Sequence, residues 1–101
     1  MQTTFAIETH GPGLYEFTRQ VEEWVDSREG GLYTGLVTLL IRHTSASLLI
    51  QENASPEVRD DLREFFDRMV PPADDPVMSF LTHTEEGADD MPAHIKAALL
   101  P

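Results

Sequence analysis

The chain has 101 residues, of which 41% are hydrophobic and 25% are charged, a composition usual for one folded domain. Its formal net charge of −11 disfavours binding to nucleic acid and to anionic membrane surfaces. Cysteine is absent, which excludes disulfides, thiolate metal sites and cysteine nucleophiles. The N-terminal residues lack the pattern of a secretion signal, and no apolar run is long enough to span a bilayer, so we expect a soluble cytoplasmic protein.

The first third of the chain predicts a strand followed by a helix. Residues Thr3 to Glu8 form a short β-branched and aromatic run that ends at the turn signal Gly11-Pro12-Gly13. Apolar residues then recur at helical spacing until Gly30-Gly31, where glycine predicts the end of the helix. These apolar residues are Leu14, Phe17, Val21, Trp24 and Val25, and we interpret Trp24 as a core anchor.

The middle of the chain predicts two strands and a second helix. Tyr33 to Arg42 is rich in Leu, Val, Ile and Thr and is typical of a strand buried on at least one face. A second strand is predicted from Ser47 to Glu52. Ser55-Pro56 then indicates a helix start, and Pro71-Pro72 its end.

The last third predicts an acidic loop, a short element and a third helix. Ala73 to Pro76 reads as the loop, and Val77 to Leu81 as a brief strand or turn. Asp90 is the predicted N-cap of a helix that has Pro92 in its first turn and reaches Leu99. The resulting order, β-α-β-β-α-(β)-α, predicts the α+β class for a single domain over residues 1–101.

The first candidate cluster stands where the first of the two central strands is predicted to end. Arg42, His43, Thr44 and Ser45 bring an imidazole and hydroxyls to a strand end, a common place for a site. His43 is a candidate general base or ligand, and the hydroxyls could bond a polar substrate. The alternative is a buried imidazole that bonds a backbone carbonyl.

The second candidate cluster is Glu52-Asn53, just before the predicted N-terminus of the second helix. Free backbone amides at a helix N-terminus favour anions, which would suit a phosphorylated ligand. Acidic residues in the first turns already use the helix dipole, and a purely structural cap is the alternative.

The third candidate cluster is the run from His83 to Lys96, which contains two histidines and four carboxylates. Such side chains ligate metals and transfer protons near neutral pH. On a helix, Asp90 and His94 share a face because they are four residues apart, so they could ligate one ion or bond each other. The alternative is that Asp90 only caps the helix and His94 is exposed.

Three sequence blocks together resemble the YjbQ-like family, often labelled secondary thiamine-phosphate synthase enzymes. The resemblance is dense from about Leu36 to Leu99, and the last block is the most specific. The blocks are His43-Thr-Ser-Ala-Ser-Leu48, Glu52-Asn-Ala-x-Pro56-x-Val-Arg59-Asp60 and His83-x-x-Glu86-Gly87-x-Asp89-Asp-Met-Pro-Ala-His94-Ile-Lys96.

The resemblance implies an antiparallel sheet with packed helices, assembled as a homotrimer. It also implies a weak thiamine-phosphate synthase activity, in which a pyrimidine pyrophosphate is condensed with a thiazole phosphate and pyrophosphate is released. The alternative is a trimer that binds a small molecule or a metal without catalysis. The expected catalytic residues are His43, His83, Glu86 and His94; the expected substrate-binding residues are Arg42, Thr44, Ser45, Glu52, Asn53 and Lys96; and the expected ligands of a divalent Mg, Mn or Zn ion are His83, Asp89, Asp90 and His94.

The chain departs from the family pattern at its C-terminus. Family members continue into further strands with a Gly-x-Trp-Gln-Gly segment, whereas this sequence stops at Leu99-Leu100-Pro101. We therefore expect a C-terminally incomplete domain whose apolar strand faces are uncovered, with poor solubility or compensating oligomerisation.

Overall fold

The structure is a computed structural model that describes residues 1–27 and 34–100. Within these ranges it has three α-helices and a short 3₁₀ turn. The helices are α1 (Thr18–Asp26), α2 (Pro56–Met69) and α3 (Asp90–Leu99), and the 3₁₀ turn is Pro76–Met78. None of the helices in the described part of the chain is long and apolar enough to cross a membrane.

The predicted α+β architecture with an antiparallel sheet is wrong, because residues 1–27 and 34–100 contain no β-strand. The described parts of the three predicted strands are non-helical, but none of them forms a ladder of hydrogen bonds with another segment: Thr3 to Glu8, residues 34–42 and Ser47 to Glu52. Tyr33, the predicted start of the first central strand, lies outside the described residues. Leu36 and Ile50, from the two segments predicted as central strands, are each 92% exposed, so among the described residues no second layer covers these two side chains. A preference for extended backbone becomes a strand only when a neighbour accepts and donates the ladder hydrogen bonds.

Helix α2 confirms the bounds predicted from proline. It has Pro56 as its first residue and ends at Met69, just before Pro71-Pro72. The Ser55 hydroxyl does not cap the helix as predicted; it bonds the Glu57 carboxylate instead, and this hydrogen bond lowers the pKa of Glu57. Proline still favours the start, because its fixed φ suits the first turn and its missing N–H would have no helical acceptor there.

Helix α1 is shorter than the apolar periodicity predicted. It begins at Thr18, so Leu14 and Phe17 precede it, and the predicted glycine end at Gly30-Gly31 lies outside the described residues. Trp24, predicted as a core anchor, is only half-buried; its ring meets Phe5 edge-on, with centroids 6.4 Å apart and planes at 85°.

The chain divides into two compact units. One comprises Met1–His10 and Tyr15–Leu39, and the other Gly11–Leu14 and Leu40–Pro101. The second unit contains every candidate site residue. Val70, Met78 and Pro92 are buried in it.

A backbone hydrogen bond anchors the loop that precedes α3. The amide of Ala73, just after α2, donates to the carbonyl of Ala88 at 2.8 Å. The 3₁₀ turn between these two residues occupies the place of the predicted brief strand or turn, and the Asp75 carboxylate caps it by accepting from the Val77 amide at 3.0 Å. This hydrogen bond therefore fixes the end of the loop, just before α3, against the residues that follow α2.

Candidate metal centre

Three side chains with ligand atoms converge at the start of α3. Asp90 and His94 share a face of the helix because they are one turn apart, and His83 comes from the preceding loop. One ligand atom from each of His83, Asp90 and His94 lies within 4.8 Å of the other two. We call these three residues the histidine–aspartate group.

A tight turn brings His83 to the helix. The Gly87 amide donates to the Thr84 carbonyl at 3.3 Å, and Gly87 has a φ of 103°, which side-chain-bearing residues rarely adopt. The turn lets Glu86 and His83 face each other, with Glu86 Oε2 3.2 Å from His83 Nε2.

Two carboxylates hydrogen-bond one nitrogen of His83. Asp90 Oδ2 lies 2.8 Å from His83 Nε2, and the Glu86 contact is the second. The Asp90 hydrogen bond is the larger cause, and the Glu86 bond the next, of a pKa of His83 that is raised above its ordinary value. The same contact with His83 is the main reason that the pKa of Asp90 is lowered.

The ring of His94 is oriented by a distant backbone group. Its Nδ1 lies 3.1 Å from the carbonyl oxygen of Thr44, and a carbonyl can only accept, so Nδ1 carries the hydrogen. In the neutral ring Nε2 is then unprotonated, and it lies 3.4 Å from Asp90 Oδ2. A backbone carbonyl that fixes the tautomer of a histidine is a typical supporting contact of a metal ligand.

His43 lies in the same loop as Thr44 but has its own partner. Its Nδ1 accepts from the Ser45 amide at 3.1 Å and contacts the Ser45 hydroxyl at 2.9 Å, so its Nε2 carries the proton when the ring is neutral. The Ser47 hydroxyl donates to the Ala97 carbonyl at 3.2 Å, which ties this loop to α3. The predicted alternative of a buried imidazole is wrong for His43, which is exposed.

The remaining predicted site residues lie elsewhere on the second unit. Arg42, Glu52 and Asn53 are exposed, and the described residues show no hydrogen bond between them and the histidine–aspartate group. Asp89 is the N-cap residue of α3, the place predicted for Asp90, and is not among the three gathered ligands. Lys96 instead pairs with Asp67 of α2, with Nζ 3.5 Å from Oδ1.

A shallow cleft forms on a different side of α3 from the histidines. Asp89 and Lys96 contribute to it, together with Pro12, Asp67, Val70, Pro72, Pro92 and Ala93. Because the histidine–aspartate group does not line it, the cleft and the ligand atoms are separate features of the surface.

The sequence did not indicate the contact of the Thr44 carbonyl with His94. It indicated Thr44 only as a substrate-binding residue, through its hydroxyl. The contact joins residues 50 positions apart, and no spacing in the sequence indicates it. Only the folded chain places this loop against the helix.

These features define a chain whose second unit carries a surface cluster of histidine and carboxylate side chains. The family model described as UPF0047 protein YjbQ-like matches residues 3–101, and the chain belongs to this family. The predicted resemblance is thereby confirmed.

Curated relatives support the same assignment. UPF0047 protein sll1880 of Synechocystis is 45% identical over 98 residues, which is 97% of this chain and 63% of the relative. UPF0047 protein YjbQ of Salmonella typhimurium is 49% identical over 99 residues, 98% of this chain and 67% of the relative. The chain thus spans about two thirds of the length of these relatives. No solved structure matches it.

Proposed function

We propose that this chain contributes a divalent-cation site to a small-molecule enzyme. The proposed reaction is a condensation that releases pyrophosphate, of the thiamine-phosphate synthase kind that the family resemblance implies. The observation that carries the proposal is the convergence of His83, Asp90 and His94, whose ligand atoms lie within 4.8 Å of one another.

The donor set favours zinc among the three metals expected from the sequence. Two imidazole nitrogens and one carboxylate oxygen are usual ligands of Zn²⁺, whereas Mg²⁺ prefers oxygen alone. A bound cation would supply neutralisation of the charge on a pyrophosphate leaving group.

Charge explains why a cation is needed for such a substrate. The chain carries a net charge of −11, and the carboxylates of Glu86 and Asp90 stand at the site itself. An anionic substrate would be repelled by this surface unless a cation reversed the local charge. We therefore propose that the cation binds before the anion.

The loop that contains His43 is the proposed second wall of the site. The contact of the Thr44 carbonyl with His94 supports this, because His43 and Ser45 flank Thr44 in the chain. The exposed Nε2–H of neutral His43 would donate to a substrate oxygen. Lys96 is less suited to this role because it lines the cleft on a different side of α3 from the histidine–aspartate group.

Metal titration with a thermal-shift readout tests the proposal. At a concentration of Zn²⁺ a hundredfold above the Kd, the melting temperature should rise by roughly ten degrees. His83→Ala should abolish most of this rise, and His10→Ala, which removes an exposed histidine of the other unit, should leave it unchanged. If Zn²⁺, Mn²⁺ and Mg²⁺ all leave the melting temperature of the wild-type chain unchanged, the cation site does not exist.

A non-catalytic protein that binds a small molecule or a metal is the second candidate. One observation favours it: the cleft of the second unit is not lined by His83, Asp90 or His94, so a small molecule held in this cleft would not contact them. In a homotrimer, which the resemblance implies, neighbouring subunits would have to complete the site. We propose the cytoplasm as its location and a small molecule, not nucleic acid or membrane, as its partner.

The variant His94→Ala separates the two candidates. Loss of thiamine-phosphate formation with retained affinity for the substrates would support catalysis. Parallel loss of both would support binding without catalysis.

A further inference from the structure

Two carboxylates approach His83, but they differ in how firmly they are held. Asp90 lies on α3, its side chain is 23% exposed, and it contacts His83 and His94. Glu86 lies in the turn before the helix, its side chain is 66% exposed, and its carboxylate contacts His83 and is the second cause, after His83, of the lowered pKa of Asp90. The helix and two histidine contacts therefore hold Asp90 in place, whereas Glu86 is more exposed and less constrained.

Glu86 is not one of the three gathered side chains, but its carboxylate lies within reach of an ion held at His83. Donor atoms at usual zinc distances in a tetrahedral site are about 3.3–3.5 Å from one another. Glu86 Oε2 lies 3.2 Å from His83 Nε2, and Asp90 Oδ2 lies 3.4 Å from His94 Nε2. The 2.8 Å contact between His83 and Asp90 is shorter and would open by about half an ångström around an ion.

We infer that Glu86 is a displaceable fourth donor that occupies the place of an anionic ligand oxygen on the proposed cation. The inference rests on the proposed cation site of His83, Asp90 and His94. Glu86 can leave this place at little cost, because it is exposed and belongs to a turn whose backbone bond, from Gly87 to Thr84, does not involve its side chain.

The chemical class of the incoming ligand follows from the Glu86 carboxylate that it would replace. A carboxylate oxygen is a hard anionic donor, and a phosphate oxygen is one of the same kind. A free carboxylate held near the ion competes with an incoming anion at high effective concentration. Glu86 thus keeps the fourth position filled until a phosphorylated ligand displaces it.

Cobalt absorption spectroscopy on the full chain tests this role, because Co²⁺ reports its donor set in the visible range. The probes are Co²⁺ alone and then inorganic phosphate added to the Co²⁺-loaded protein. The variants are Glu86→Gln and Glu86→Ala, and the matched control is Glu85→Gln, which removes the same charge one residue away.

We expect both Glu86 variants to bind Co²⁺ at least about tenfold more weakly than wild type, with an altered spectrum. We also expect phosphate to bind their Co²⁺ forms at least about tenfold more tightly, because its competitor is gone. The control should match wild type in both titrations, and circular dichroism should show equal helix content in all four proteins.

Two results would overturn the inference. If the Glu86 variants bind Co²⁺ and phosphate as the Glu85 control does, Glu86 is not a donor and the cation site stands without it. If wild type itself gives no Co²⁺ spectrum, the proposed cation site fails and the role of Glu86 fails with it.

Discussion

Replacement of Gly87 by alanine should destabilise the second unit through the backbone alone. A Cβ at this position would meet nothing within 4 Å, so no steric contact opposes it. The φ of 103°, however, is one that side-chain-bearing residues rarely adopt, and holding it costs about 1–3 kcal/mol. We expect the free energy of unfolding of Gly87→Ala to fall by this amount, as measured by urea denaturation followed by circular dichroism.

Gly35→Ala provides the matched control. Gly35 is equally open around its Cβ position but lacks the positive φ, so the change should be neutral or stabilise by up to about 1 kcal/mol. The backbone of Gly87→Ala could also relax and release the turn; in that case the contact of Glu86 with His83 would be lost, and the NMR titration of His83 would move. Equal stability of both variants with an unchanged His83 titration would refute the reasoning.

Three further changes test the packing and the electrostatics. Asp90→Asn should lower the pKa of His83, which an NMR titration measures. In wild type the pair of His83 and Asp90 stabilises the fold fully between pH 3.8 and pH 6.5, the ordinary pKa values of the two groups. This stabilisation is lost as pH rises through the raised pKa of His83 or falls through the lowered pKa of Asp90. Unchanged titration of the histidine would contradict this. Val70→Ala should cost about 1–3 kcal/mol because Val70 is 4% exposed, whereas Val77→Ala, at 67% exposure, should stay within about 0.5 kcal/mol; equal losses in urea denaturation would count against the assigned core. Lys96→Gln should change the free energy of unfolding by less than about 1 kcal/mol, because its ion pair is partly exposed at 3.5 Å; a larger loss would show that the pair is worth more than its geometry indicates.

The helices were predictable because their signals are local. Pro56 and the pair Pro71-Pro72 mark the two ends of α2 through the dihedral preference and missing amide of proline. The strands were not predictable in the same way. Their apolar residues indicate only that extended backbone is favoured, and a sheet also needs a second segment at the right distance and register.

The same distinction between local and long-range contacts applies to the candidate site. His83, Asp90 and His94 are close in sequence, and one turn and one helical turn are enough to bring them together. The loop of His43 is different, since its contacts with α3 join residues 50 positions apart. Spacing in the sequence therefore indicated the three gathered side chains but not the backbone contact that orients His94.

Thr44 shows why the contacts between this loop and α3 cannot be predicted from the sequence. Thr44 was proposed as a substrate-binding residue for its hydroxyl, yet the atom that contacts His94 is its carbonyl oxygen. Every residue type supplies such an oxygen, so no side chain at this position can indicate the contact. The tautomer of His94, and with it the nitrogen that is free to bind an ion, depends on where the fold places the backbone. A short segment with the same histidines and carboxylates would contain the same side chains without this orientation of His94.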